Sequence, residues 1–237
     1  MAERQILLGL TTTLGSDWRM KAEEIDRLGI KELALFLTCL GSEDRRELYG
    51  LLENTSLESI PHVHLRDDME LWELDYLVEK YHTQVFNIHP KKSHYPLVND
   101  LSKYNKRIYI ENTPDELPAF DELESYGGVC LDTSHWENWI LEGSPACKRK
   151  SDGIKKILNL FPAGCAHISA ISAGLHDDPD KKYPDRKEYS SHWLDNLSEV
   201  DYVKKYRVYL PKIVSIELEN PLEEQLEIKK YLDRIIN

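Results

Sequence analysis

The chain has 237 residues and a formal charge of −12, from 30 Lys and Arg against 42 Asp and Glu. That length suits one domain with a large core, or at most two small ones. The acidity argues against a protein that grips a nucleic-acid backbone or an anionic membrane surface, since either asks for a basic face. No run of about 18 apolar residues occurs, so no spanning helix is expected. The start Met1-Ala2-Glu3-Arg4-Gln5-Ile6-Leu7-Leu8 carries an acid and only a short apolar stretch, unlike a secretory signal. Cys39, Cys130, Cys147 and Cys165 lack C-x-x-C spacing. They read as reduced, buried thiols of a cytoplasmic protein.

In chain order, short apolar runs alternate with amphipathic stretches. Residues 6–12 read as a strand and 17–28 as a helix stopped by Gly29. A strand over 32–38 precedes a helix over 42–54, with Ser42 as its N-cap. Strand 59–65 precedes helix 69–81, and strand 84–89 ends at a proline. Strand 106–110 precedes a short helix over 117–125. Strand 128–131 precedes a helix over 151–160. Strand 165–170 comes before a helical stretch over 194–206. Strand 213–218 leads into a final helix over 221–236, which opens on Pro221. Eight strands with interposed helical segments imply parallel pairing, because parallel neighbours need a crossover. Units of about 30 residues fit βα units. The fold expected is therefore an α/β (β/α)8 TIM barrel, one domain over 1–237. An open doubly wound sheet should carry a G-x-G-x-x-G turn, and none is present. The charged stretch 176–188 (HDDPDKKYPDRKE) reads as a solvated loop or as a lid over the barrel mouth.

The informative pattern is where ionisable residues fall. His64 ends the third strand, His89 the fourth and Glu111 the fifth. Asp132 and His135 end the sixth, His167 lies in the seventh, and Glu217 and Glu219 end the eighth. Strand C-termini converge on one face of a barrel, where barrel enzymes place their chemistry. Carboxylates gathered at an apolar mouth repel one another, and a divalent cation resolves that conflict. Mixed carboxylate and imidazole donors suit Mn, Co, Zn or Fe, and Mg less well.

Five motifs carry a resemblance. They are Asn87-Ile88-His89-Pro90, Ile110-Glu111-Asn112-Thr113, Cys130-Leu131-Asp132-Thr133-Ser134-His135, Ala166-His167-Ile168-Ser169 and Ile216-Glu217-Leu218-Glu219-Asn220-Pro221. In this order they resemble the xylose-isomerase-like TIM barrel superfamily, which holds sugar isomerases, ketose epimerases, inosose dehydratases and endonuclease-IV-type repair enzymes. The resemblance implies that Glu111, Asp132, His167 and Glu217 hold a divalent metal. It also implies that Glu111 and Glu217 are the catalytic pair that moves a proton. Through the endonuclease branch it extends the ligand set to His64, His89, His135 and His192. Ser190 stands two residues before His192, where that branch has an Asp, so a full three-zinc cluster is doubtful; His176-Asp177-Asp178 are the nearby substitutes. Glu217 and Glu219 share parity, and the superfamily pattern favours Glu217 as the ligand.

Two functions are thereby expected to compete. One is isomerisation or epimerisation of a small sugar, polyol or sugar phosphate through a metal-stabilised enediolate. In it, His135, Lys91 and Glu219 would contact substrate, and Lys91 with Lys92 would meet an anionic group unless they are simply solvated. The other is metal-dependent phosphodiester hydrolysis on abasic DNA, which the charge disfavours. The cofactor expected is one to three divalent ions (Mn, Zn, Co or Mg). The partners expected are a small carbohydrate, no nucleic acid and no membrane, with the chain a monomer or homodimer.

Overall fold

The computed structural model describes residues 3–91, 97–177 and 187–237. Its elements follow in chain order: β1 (Gln5–Thr11), α1 (Trp18–Leu28), β2 (Glu32–Phe36), α2 (Ser42–Glu53), β3 (Ser59–His64), α3 (Leu71–Tyr81) and β4 (Val85–Ile88). A 3-10 helix (Ser102–Arg107) leads to β5 (Ile108–Glu111), α4 (Phe120–Ser125), β6 (Gly128–Asp132), α5 (Thr133–Glu142) and α6 (Pro145–Leu160). Then come β7 (Ala163–Ile168), β8 (Ala170–Asp177), β9 (Lys187–Ser191), a second 3-10 helix (Leu197–Tyr206), β10 (Ile213–Ile216) and α7 (Leu222–Ile236). Eight strands close a parallel barrel in the order β1-β10-β7-β6-β5-β4-β3-β2. The barrel expected from strand–helix alternation is the fold observed.

Local chemistry explains the element ends. Asp17 caps α1 by accepting the Met20 N–H, and Gly29 ends it in the left-handed conformation at φ 66°. Ser144 caps α6, with Pro145 in its first turn. On the strands, alternate residues divide between two cores. Ile6, Leu8, Val63, Phe86, Ile110, Leu131, Ala166 and Val214 face the surrounding helices. Leu7, Ala34, Phe36, Val85, Cys130, Cys165 and Ile213 fill the lumen.

The barrel closes at a seam between β1 and β10. Strand pairing there covers Gln5, Ile6 and Leu7 only. Beyond it, Gly9 comes so close to β10 that a Cβ would stand 1.9 Å from the Ile216 carbonyl oxygen. The Gln225 side chain of α7 takes over the pairing. Its Oε1 accepts the Gly9 N–H at 2.7 Å, and its Nε2 donates to Gly9, Leu218 and Asn220 carbonyls at 2.9–3.1 Å. Lys21 of α1, fully buried, donates to Thr11 Oγ1 and the Leu218 carbonyl, each at 2.8 Å.

Four local expectations need correction. Gly41, not Ser42, is the N-cap of α2: its extended backbone needs no side-chain bond, and Ser42 takes the first helical position. The helical stretch expected over 194–206 is a 3-10 helix from Leu197. The crossover from β6 to β7 holds two helices, because Asp132 ends the strand and at once caps α5 by accepting the His135 N–H. His135 therefore lies in a helix, not at a strand end. Finally, strand 165–170 is two strands. β7 stops at Ile168, and β8 begins an antiparallel hairpin with β9, pairing Ala170 with Ser191 and His176 with Glu188. The charged stretch thus begins and ends inside a hairpin, and its residues 178–186 lie outside the described residues. Among the described residues, no helix is long and apolar enough to cross a membrane.

Candidate metal centre

Strand parity builds the site in two layers. Residues two apart on a strand share a face. Each of six neighbouring strands, or the residues just beyond its end, sends one polar side chain to the barrel mouth and another one step deeper. The mouth layer is His64, His89, Glu111, Asp132, His167 and Glu217. The layer beneath is His62, Asn87, Tyr109, Cys130, Cys165 and Ser215. All but His89 in the upper layer are buried.

Glu111 is the hub of the upper layer. Its Oε2 lies 3.2 Å from His64 Nε2 and 3.4 Å from His167 Nδ1. Its Oε1 lies 3.8 Å from His89 Nε2 and 3.9 Å from His135 Nε2. His167 Nδ1 in turn lies 3.2 Å from Glu217 Oε2 and 3.8 Å from Asp132 Oδ2. Asp132 is aimed by its second oxygen: Oδ1 accepts from Ser134 Oγ and the His135 N–H at 2.7 and 2.8 Å, which leaves Oδ2 facing the cluster.

The donor atoms of this cluster lie close enough together to hold a cation. His64 Nδ1 lies 2.9 Å from the Leu65 carbonyl, which can only accept, so Nδ1 carries the proton. The other side of the ring, Nε2, faces the Glu111 carboxylate at 3.2 Å and His89 Nε2 at 3.3 Å. Asp132 Oδ2 and His167 Nδ1 are buried with no hydrogen-bond partner. An uncompensated buried carboxylate is costly, and a divalent ion would supply compensating charge. Donor triads compact enough for one ion include Asp132, His167 and Glu217; Glu111, Asp132 and His135; and His64, His89 and Glu111.

The same crowding shifts the acid–base groups. Burial pushes Glu111 up, but His167, His89 and His64 outweigh it and hold the carboxyl well below its usual range. Burial also opposes ionisation of Glu217, yet His167 and His192 bring it down to about 2. Burial drives Asp132 up, only partly offset by His135. For His167, burial disfavours the proton, while Glu111 and Glu217 overcome it and raise the ring well above the ordinary histidine value. The carboxylates around His167 therefore favour the protonated ring.

The other expected residues fall around this cluster. His192 is half-buried and near enough to Glu217 to help keep it ionised, and its carbonyl accepts the Glu219 N–H at 2.6 Å. Glu219 turns away from the other ligands despite sharing parity with Glu217: its Oε1 accepts from Thr13 Oγ1 at 2.5 Å, and its carboxylate packs over Gly15. Lys91 is exposed, with its backbone N–H on Glu122 Oε1; Lys92 lies outside the described residues. His176 Nδ1 sits 3.1 Å from Ser172 Oγ within the hairpin, and Asp178 lies outside the described residues.

Reading only strand ends missed the lower layer. The signal was the i−2 spacing: His62 before His64, Asn87 before His89, Cys130 before Asp132, Cys165 before His167 and Ser215 before Glu217. Three of these form a line across the lumen. Ser215 Oγ meets His62 Nδ1 at 2.7 Å, His62 Nε2 meets Asn87 Oδ1 at 2.9 Å, and Asn87 Nδ2 donates to Glu111 Oε2 at 2.7 Å. This line fixes the orientation of the hub carboxylate from below.

No protein-family profile and no curated protein matches the chain. Among solved structures, it is similar to a xylose isomerase-like TIM barrel protein from Mycobacterium smegmatis in complex with magnesium, at 13% identity over 93% of this chain and 90% of that one, with a TM-score of 0.48. It is similar to a xylose isomerase domain protein from Planctomyces limnophilus, at 9% identity over 98% of each chain and a TM-score of 0.47. It is also similar to the probable 3-DHS dehydratase AsbF involved in petrobactin synthesis from Bacillus anthracis, at 13% identity over 99% of each chain and a TM-score of 0.44. The site stands on the geometry of this chain.

Proposed function

We propose that the protein is a divalent-metal-dependent isomerase or epimerase of a small sugar, polyol or sugar phosphate. The observation that carries this reading is His167 Nδ1, set among Glu111, Asp132 and Glu217 with no hydrogen bond of its own. Glu111, Asp132, His167 and Glu217 would hold the ion, with His64, His89, His135 and His192 as further donors. A divalent ion in that position polarises a carbonyl and acidifies the neighbouring C–H.

The side chains supply the rest. Glu111 and Glu217 come from the ends of β5 and β10, with β6 and β7 between them, and are both held ionised, the state a base requires. One takes the proton from the carbon between them and the other returns it. Asn87 ties down Glu111 Oε2, so Oε1 is the oxygen that faces a substrate. His135 Nε2, 3.7 Å from Asp132 Oδ2, is placed to hydrogen-bond a substrate oxygen. Burial of the pair keeps water from competing for the proton.

The test is to incubate the protein with Mn and a panel of ketoses in deuterated water. Deuterium is expected at the carbon beside the carbonyl, with loss of exchange in Glu111→Gln and Glu217→Gln. One observation favours a second reading, phosphodiester hydrolysis with two ions: the triad of His64, His89 and Glu111 offers a second set of donors sharing the hub carboxylate. No exchange on any ketose, together with chelator-sensitive cleavage of an abasic-site duplex, would replace the first reading by the second.

A further inference from the structure

The layer beneath the mouth holds a cluster of different chemistry. Cys130 and Cys165 face each other across β6 and β7 in direct register. With one nitrogen of His62 from β3, their ligand atoms lie within 4.8 Å of one another, and all three residues are fully buried. The His62 tautomer decides whether that nitrogen can serve. Asn87 donates its amide N–H to Glu111, so its carbonyl faces His62 and accepts the Nε2 proton. Nδ1 therefore keeps its lone pair, now turned to the Ser215 hydroxyl at 2.7 Å. A histidine that donates one N–H to a carbonyl and offers the other nitrogen is arranged as metal-binding histidines are. An ion there would take the place of the Ser215 hydroxyl on that nitrogen. Leu7, Ala34, Phe36, Val85 and Ile213 enclose the group in an apolar shell.

We propose that His62 Nδ1, Cys130 Sγ and Cys165 Sγ form a second, sulfur-rich metal site in the barrel floor, selective for a soft or borderline ion such as Zn, Cd or Cu(I). Thiolates prefer such ions over Mg or Mn, so the two layers sort metals by chemistry: oxygen and imidazole at the mouth, sulfur below. Both thiols release their protons to solvent as the ion binds. The Asn87 amide links the layers, since it touches both the floor histidine and the hub carboxylate. Its three ligands are not among the residues proposed to hold the mouth ion, although Cys130 Sγ lies 3.4 Å from His167 Nε2, a second link between the layers.

The test uses the full chain, reduced and stripped with chelator. Co(II) is added to the folded protein and, because the floor is closed to solvent, also during refolding. A near-ultraviolet thiolate-to-cobalt charge-transfer band is expected in the wild type. It should persist in Asp132→Asn, which removes one carboxylate from the mouth layer, and vanish in Cys130→Ser and Cys165→Ser. Zinc X-ray absorption on the wild type needs no variant and should show sulfur scatterers at about 2.3 Å. Absence of the band by both loading routes, or a zinc shell of oxygen and nitrogen alone, overturns the proposal. A band that survives the double serine variant also overturns it, by placing the sulfur at Cys39 or Cys147.

Discussion

A few side chains at the site have states set by a single neighbour. The Leu65 carbonyl fixes the proton on His64, and the Asn87 carbonyl fixes the one on His62. Lys21 is a third case, at the other edge of the mouth. Burial drives its pKa down to about 7, against the pull of Glu219 and Glu24. A neutral amine has two N–H groups, and Lys21 has two acceptors, Thr11 Oγ1 and the Leu218 carbonyl. Between pH 7 and about 10.5 the unfolded chain keeps the lysine proton that the folded chain has released. Stability from this group therefore rises with pH across that window, and below it the full penalty of burying the charge applies. Denaturant melts of wild type and Lys21→Met should show a difference that shifts in favour of the wild type as pH rises from 7 to 10. A difference that stays flat would mean that Lys21 keeps its proton in the fold.

Among the elements, the β1–β10 seam is where the barrel most depends on a side chain. Ordinary ladder bonds end at Leu7, and Gln225 replaces them with one bond accepted from Gly9 and donated bonds to three carbonyls. Removing it strands buried backbone groups, each worth about 1–3 kcal/mol when unpaired. Gln225→Ala should thus lower stability by more than about 2 kcal/mol, and Gln225→Glu should fare little better because a carboxylate cannot donate to the Gly9 carbonyl. Urea unfolding with an unchanged slope checks this; a loss below about 0.5 kcal/mol would show the seam closing without it. The elements also show what periodicity can and cannot reveal. α1 and α7 emerged from their amphipathic stripes and caps because those signals are local. β8 escaped notice because Ala170 to Gly174 lacks the bulky alternation that marks a half-buried strand. α5 escaped because its cap, Asp132, also reads as a strand end and a ligand.

Over the whole molecule, an ion held by the mouth layer would couple folding to metal. Asp132 is fully buried with its pKa raised, so its charge costs stability until an ion arrives. An ion that binds only the folded chain stabilises it by mass action, about 2.7 kcal/mol at about 100 times its Kd, or about 5–10 °C in Tm for a chain of this size. Calorimetric scans with Mn or Zn should show that rise. Asp132→Asn keeps the capping oxygen and removes the charge, so the metal-free variant should melt no lower than metal-free wild type, and added metal should move it little. A full metal-dependent rise in Asp132→Asn would remove that carboxylate from the ligand set.

The sequence by itself determined the barrel, through strand–helix alternation, and it located the polar strand ends on one face. Those are properties of local period and chain order, which a one-dimensional reading retains. Only the tertiary structure decided which carboxylate of β10's end turns inward, since Glu217 and Glu219 have the same parity and differ by what they meet: His167 for one, Thr13 and Gly15 for the other. It alone brought Ser215, His62 and Asn87 into one line, and set two cysteines 35 residues apart into register with a histidine. Closing the barrel sets the distances between strands remote in sequence, and those distances fix each proton's position and where a metal fits.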